Sequence, residues 1–389
     1  MTCPQPPPFI LFRKKVAVLG ATGSVGTSAI RVLRAMKEQF QVVLLSAGGN
    51  HIDELAGLAA EFHAEYAVTS DESKKELLQS KLPASCQGFA GEKALCDLLV
   101  EKKIDIVVCA IVGLAALKPA AAVLESGKQL ALASKEVMVT AGPQMMKLAA
   151  EHHVVILPVD SEHSAVFQCL ERHLHEEIHK IILTASGGPF RTLPAEQLPF
   201  VTFTQAMKHP TWSMGPKVTL DSATLMNKAL EMIEAHHLFQ VRPDQVDVVV
   251  HPQSVVHSLV EWCDGSMHAL LSAPDMRFPV QYALTWPDRL PAERRQLDLA
   301  ALGSLTFRRP DPVRFPCLRL AAEACAAGGC ATAVLAAADE LAVARFLRGE
   351  IGYTDIAKTI ERALDGAPKM KCDSIEAVFA ANDWVWKSL

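Results

Sequence analysis

Among ten cysteines, at positions 3, 86, 96, 109, 169, 263, 317, 325, 330 and 372, no Cys-x-x-Cys pair occurs. The spacing of structural zinc sites and of redox dithiols is therefore missing. A chain of 389 residues has no need of disulfide staples, and scattered thiols fit a reducing compartment, where each acts as a small hydrophobe; the expected location is the cytoplasm. Aromatic residues make up only 6% while hydrophobic residues reach 50%, so the cores are aliphatic and global disorder is excluded. The longest uncharged apolar run, residues 106–117, falls well short of the roughly 20 residues that span a bilayer. At the amino terminus prolines at 4, 6, 7 and 8 and an apolar patch at 9–12 precede Arg13, Lys14 and Lys15, the reverse of signal-peptide order. No membrane partner is expected. Lysine and arginine total 38 against 43 acids, a formal charge of −5, so the basic footprint demanded by nucleic acid is absent.

The length corresponds to two or three domains of about 150 residues. Residues 15–142 alternate short β-branched runs (16–19, 41–45, 66–69, 104–110 and 129–133) with amphipathic stretches such as 27–39. That alternation predicts an N-terminal Rossmann-like, doubly wound α/β sheet over residues 1–150. From residue 151 the strand-like runs (154–158, 180–184, 247–250, 254–261 and 267–271) are separated by irregular segments, which predicts a central α+β domain over 151–287. Residues 288–316, rich in Pro, Arg and Asp, read as a linker. Residues 317–389, alanine-rich with helical spacing of apolar side chains, read as a C-terminal helical bundle.

Val16-Ala-Val-Leu19 leads into Gly20-Ala-Thr-Gly23-Ser-Val-Gly26, a strand, a glycine turn and a helix start. Such glycines let the backbone approach a pyrophosphate at a helix amino terminus; the alternative is a bare structural turn. The second strand ends in Ala47-Gly48-Gly49-Asn50, without the carboxylate that would hold the ribose diol of NAD. That favours NADPH, although no Arg or Lys stands beside it in sequence.

Two clusters carry candidate chemistry in the second domain. Val154-Val-Ile-Leu-Pro158-Val-Asp160-Ser161-Glu162-His163 places two acids two apart after a strand; extended backbone would point both to one side, onto one cation. They could equally be solvated acids capping a helix that begins near Ser164. In Asn227-Lys228-Ala-Leu-Glu231 the amide, ammonium and carboxylate share a helical face, where a surface ion pair is the alternative. Taken with Asp160 and Glu162, the oxygen donors suit a hard ion such as Mg²⁺ or Mn²⁺, not zinc. Thr184-Ala-Ser186-Gly187-Gly188-Pro189 offers a hydroxyl and amides to an anion. His209-Pro-Thr-Trp212-Ser-Met214-Gly215-Pro216 reads as either a lid or a loop docked on the core. His251 and His257, in a strand-like run, are read as framework.

These motifs, with Ala133-Ser134-Lys135-Glu136, the block 251–261, Asp264-Gly-Ser266 and Pro274-Asp-Met-Arg277, occur in an order that resembles the 1-deoxy-D-xylulose 5-phosphate reductoisomerase family from about residue 15 to 384. The resemblance implies a homodimeric, NADP-dependent oxidoreductase with an isomerase step in non-mevalonate isoprenoid biosynthesis. It implies conversion of 1-deoxy-D-xylulose 5-phosphate, a small phosphorylated sugar, to 2-C-methyl-D-erythritol 4-phosphate with NADPH and Mg²⁺, Mn²⁺ or Co²⁺. Asp160, Glu162 and Glu231 match metal ligands, and the metal would act as Lewis acid while the skeleton rearranges by retro-aldol and aldol steps. Lys135 and Ser161 match substrate contacts, Lys135 assisting at the reacting hydroxyls. Ser186, Ser222, Asn227 and Lys228 match a phosphate pocket, His209 a substrate-binding histidine, and Trp212 and Met214 lid residues. Thr22, Gly23, Ser24, Val25, Gly48, Asn50, Ser134, Glu136 and Gly215 match NADPH contacts. Two positions depart from the family pattern: Gly49, where a basic residue is common, and Ser134, where Asn is frequent.

Two other readings compete. Semialdehyde dehydrogenases open with a similar glycine turn but need an activated cysteine beside a base, which no cysteine here provides. An NADPH-binding redox sensor would have no need of Asp160, Glu162 and Glu231 together.

Overall fold

The computed structural model describes residues 13–209, 215–291 and 296–389. Seven short strands, β1 (Lys14–Leu19), β2 (Phe40–Ala47), β3 (Tyr66–Thr69), β4 (Gln87–Ala90), β5 (Ile106–Cys109), β6 (Gln129–Leu132) and β7 (Ile156–Pro158), form one sheet in the order β4-β3-β2-β1-β5-β6-β7. Every pairing is parallel. Both faces are therefore covered: Val16 and Val18 of β1 enter one apolar layer and Ala17 and Leu19 the other, which is why the run reads as continuously apolar. The order reverses between β1 and β5, and in such sheets ligands bind outside the carboxyl ends of the strands at that switch point.

A second sheet, of β8 (Ile178–Ala185), β9 (Val246–Val250), β10 (Val256–Trp262) and β11 (Met267–Leu271), has the order β11-β10-β8-β9, with β8 and β9 parallel and the other pairs antiparallel. Four helices close the chain: Cys317–Ala327, Ala331–Leu347, Tyr353–Gly366 and Ile375–Ser388.

The expected boundary at residue 150 needs correction, because Ile156–Pro158 pairs with Leu130–Leu132 at the edge of the first sheet. A buried apolar run reads alike in a parallel and a mixed sheet, and composition alone could not assign it. The helix Arg277–Thr285 likewise leaves the second sheet, and its Val280, Ala283 and Leu284 join the core beneath β1 and β2. The C-terminal helices share one core with the other face of the first sheet. The segment 288–316 is tethered by a bridge between Val250 and Arg308 and contains a short helix, Leu299–Leu302. Strand β4 escaped the sequence reading, since Gln87-Gly-Phe-Ala90 lacks β-branched residues.

The helix Lys135–Glu151 kinks at Ala141, ahead of Pro143, whose missing N–H breaks the ladder. At the kink Gly142 packs so closely on the helix Met226–Leu238 that an added Cβ would lie 2.3 Å from the His237 ring. Lys135 begins the first of those helices, and Asn227, Lys228 and Glu231 lie on the second.

Candidate active site

The loops after β1, β5, β6 and β7 open into one cavity of about 430 Å³ at the switch point, closed from the far side by the end of β8 and by the helices Pro216–Thr224 and Met226–Leu238. Gly23, Ser24 and Val25 come from the first loop, Lys135 and Glu136 from the third, and Asp160, Ser161 and Glu162 from the fourth.

The glycine turn is built for close backbone approach. A Cβ on Gly26 would come within 2.0 Å of the Gly20 carbonyl oxygen, so only glycine lets the helix Ser24–Ala35 start this tightly against the strand. That helix has no side-chain cap, leaving its first amides and the positive end of its dipole to face an anion. These residues fit the pyrophosphate of a dinucleotide. Thr22, Gly48 and Asn50 stand at the carboxyl ends of β1 and β2 but do not line the cavity. Ser134 lines it, yet its hydroxyl donates back to the Cys109 and Ile111 carbonyls, so it ties two loops together.

Asp160 and Glu162 converge, but not as extended backbone. Asp160 is the residue before the helix Ser161–Leu170 and Glu162 lies in its first turn, so helical geometry supplies the convergence. Carboxylate oxygens of Asp160, Glu162 and Glu231 all lie within 4.8 Å of one another. Lys135 Nζ lies 2.7 Å from Asp160 Oδ2 and donates to Glu231 Oε1 at 3.0 Å and Asn227 Oδ1 at 2.7 Å. Lys228 Nζ donates to Glu162 Oε1 at 2.7 Å and to Glu231 Oε2. Glu231 is fully buried behind these ammonium groups and does not itself line the cavity. Burial alone would raise the Asp160 carboxyl, but Lys135, His163 and Lys228 outweigh it and hold the group well below its ordinary range; burial and the neighbouring Glu162 raise that of Glu231. Three carboxylates thus face two ammonium groups, with Glu234 behind them raised to about 7 by burial. This all-oxygen donor set with surplus negative charge fits a hard divalent cation. A second group, Asp160, His163 and Glu234, comes as close, with His163 Nδ1 3.4 Å from Glu234 and Nε2 bonded to the Glu231 carbonyl at 2.9 Å, but His163 and Glu234 lie outside the cavity wall.

Ser186, His209 and Ser222 line the same cavity, as do Asn227 and Lys228 within the carboxylate cluster. Ser186 Oγ and His209 Nε2 are 3.0 Å apart, and the Gly188 N–H donates to the same hydroxyl at 3.2 Å. Burial, with Arg191 adding to it, pushes His209 down to about 4, so near pH 7 it is a neutral hydrogen-bonding group. Gly215 lines the cavity; Trp212 and Met214 lie outside the described residues.

The sequence reading missed several wall residues. His257, read there as framework, faces the cavity while bonding Ser272 Oγ through Nε2 at 2.8 Å; nothing in an alternating strand distinguishes the two roles. Lys217 also lines it, with Nζ 2.6 Å from Asp221, 2.9 Å from Asp339 and 3.7 Å from Glu136. The i,i+4 spacing of Lys217 and Asp221 was a legible signal; Asp339, in the C-terminal helices, was not. No cysteine lines the cavity among the described residues, which removes the thioester reading, and burial lifts Cys109 to about 11.

Three family models match the chain: 1-deoxy-D-xylulose 5-phosphate reductoisomerase at residues 16–142, its C-terminal domain at 156–239, and the DXP reductoisomerase C-terminal domain at 271–388. The chain is 47% identical to the 1-deoxy-D-xylulose 5-phosphate reductoisomerase of Pseudomonas syringae over 95% of each chain. It is 48% identical to that of Chlorobium chlorochromatii over 95% of this chain and 97% of the other. The solved enzyme from Zymomonas mobilis, in complex with NADPH, superposes with a TM-score of 0.91 at 42% identity, covering 96% of this chain and 97% of that one. A DOX-P reductoisomerase in complex with NADPH, fosmidomycin and magnesium gives 0.90 at 38% identity over the same shares.

Proposed function

The chain belongs to the 1-deoxy-D-xylulose 5-phosphate reductoisomerase family, and from that premise we propose that the switch-point cavity binds, rearranges and reduces the phosphorylated sugar. The protein is an NADP-dependent oxidoreductase that converts 1-deoxy-D-xylulose 5-phosphate to 2-C-methyl-D-erythritol 4-phosphate with NADPH and a divalent metal. The observation that carries the site assignment is the convergence of Asp160, Glu162 and Glu231 within 4.8 Å at the edge of a cavity that also opens on the glycine turn.

In this reading Asp160, Glu162 and Glu231 hold the metal, which when bound supplies Lewis-acid polarisation of the substrate oxygens. NADPH, seated on Thr22, Gly23, Ser24, Val25, Gly48, Asn50, Glu136 and Gly215, supplies the hydride. Lys135 Nζ, already among the carboxylates, is placed to hold a proton at the reacting hydroxyls, and Ser161 orients them. Ser186, His209, Ser222, Asn227 and Lys228 seat the phosphate, with Lys228 as its charge partner and neutral His209 as a hydrogen-bond donor. Ile111, Val112 and Met276 line the same cavity with apolar surface and restrict water near the reacting carbons.

A homodimer is supported by β11, whose outer edge pairs with no strand among the described residues and whose first three residues are exposed; such an edge invites a partner. Cytoplasmic location is supported by the nine described cysteines, all free. Among the described residues no helix is long and apolar enough to cross a membrane.

The test is NADPH oxidation by purified protein given the sugar phosphate, with Mn²⁺ or chelator, and with NADH as comparison. Metal-dependent oxidation preferring NADPH is expected. Glu231→Gln should bind NADPH normally yet lose turnover by orders of magnitude; near-wild-type turnover in that variant would defeat the metal assignment, as the redox-sensor reading requires.

A further inference from the structure

At the carboxyl end of β2 the chain needs a cation for the adenosine 2′-phosphate of NADPH, and Ala47-Gly48-Gly49-Asn50 contains none. Position 49 cannot supply one. A Cβ there would meet the Asp71 Cβ at 2.5 Å and its carboxylate at 2.9 Å, because the loop after β3 lies directly against it. Strand β3 is the neighbour of β2 on the side away from β1, so its following loop borders the place where the adenosine end lies in a doubly wound sheet. The short helix Glu72–Lys74 in that loop turns Lys74 back over β2, and its Nζ donates to the Gly49 carbonyl at 2.8 Å.

We propose that Lys74 is the residue that selects NADPH over NADH in this protein, its ammonium reaching across from the β3 loop to the 2′-phosphate. The proposal deepens the reductoisomerase reading and rests on it. The hydrogen bond to a neutral carbonyl uses one of the three Nζ hydrogens, and the side chain stays 34% exposed, so a phosphate oxygen can be met from solvent. The nearby charges are consistent with this role. Asp71 Oδ2 lies 4.0 Å from Lys74 Nζ, a long ion pair, while its Oδ1 accepts from the Ser73 backbone N–H at 3.0 Å and from Ser73 Oγ at 2.6 Å. His51, the other nearby base, lies 3.3 Å from Glu54, and Lys81 is paired with Asp53. Lys74 is therefore the cation bonded to the β2 loop itself, and its carboxylate pairing is the long one with Asp71. The tight fit of Gly49 keeps the bridge short, since any side chain there would push the β3 loop, and Lys74 with it, away.

Fluorescence titration of NADPH and NADH onto wild-type protein, Lys74→Met and Lys74→Arg tests this without turnover. The expected result is at least a tenfold loss of NADPH affinity in Lys74→Met, or about 1.4 kcal/mol, with NADH affinity within twofold of wild type. Lys74→Arg should retain the preference. Equal losses for both nucleotides would mark Lys74 as merely structural, and no loss would place the phosphate elsewhere; either outcome overturns the proposal. A wild-type protein that bound neither nucleotide would instead overturn the reductoisomerase reading beneath it.

Discussion

Lys228 sits between Glu162 and Glu231 almost out of reach of water, with 3% of its side chain exposed. Removing one partner of such a pair leaves an uncompensated buried charge, so Lys228→Met should cost about 3–5 kcal/mol of unfolding free energy in urea. Lys93→Met, which breaks an exposed pair with Asp97, should cost only a small fraction of that; comparable losses would refute the burial argument. Acid sensitivity also resolves to single residues. Burial pushes His237 and His257 down to about 4, against an ordinary value near 6.5. Between those values the unfolded chain binds protons that the folded one refuses, so their contribution to stability is complete above about pH 6.5 and is lost as the pH falls toward 4. The stability of wild type relative to His257→Gln should therefore shrink between pH 7 and pH 4.5, and a constant difference would contradict this. Residue types were legible in the sequence further than their geometry. Asp160 and Glu162 were found as a pair through an extended spacing that the backbone does not adopt, because carboxylates at the start of a helix converge as readily as those on a strand.

Between elements, the close approach of the helices Lys135–Glu151 and Met226–Leu238 at Gly142 sets up opposed effects. In an open helix Gly→Ala gains about 1 kcal/mol. Here the Cβ would enter the His237 ring, and overpacking of this kind costs about 1–3 kcal/mol, so Gly142→Ala should lower the thermal midpoint; a rise would show that the helices can part. A second junction joins the C-terminal helices to the cavity through Lys217. Asp221, raised to about 8 by burial and then by Asp339, keeps a proton in the folded state that it loses when unfolded above about pH 4. Stability from this carboxyl therefore falls as the pH rises from 4 to 8. Asp339→Asn removes the like charge, and its midpoint relative to wild type should be more favourable at pH 8.5 than at pH 5.5. Equal shifts at both pH values would discard the account. The repeating αβ pattern made the first sheet readable, since each strand is buried on both faces. Strand β7 and the returning helix Arg277–Thr285 were misplaced because sheet membership is decided by pairing partners that lie far away in sequence.

Over the whole molecule one apolar core runs from β1 and β5 through the helix Lys135–Glu151 into all four C-terminal helices. A chain ending at residue 316 would expose that face of the first sheet and also lose the Tyr353 hydroxyl that caps the Ala223 carbonyl at 2.7 Å. Such a truncation should show no cooperative urea transition by circular dichroism, whereas a cooperative one would mean the bundle is a separate module. The sequence divided the chain by texture into successive blocks, and the folded chain interleaves them, because burial ignores chain order. Lys217 gathers carboxylates from three separate helices beside the cavity, one of them more than a hundred residues downstream. Heritable change at position 339 can thus retune how the cavity greets a competitive ligand that never touches it, so a survey of resistance confined to contact residues would overlook one of its sources.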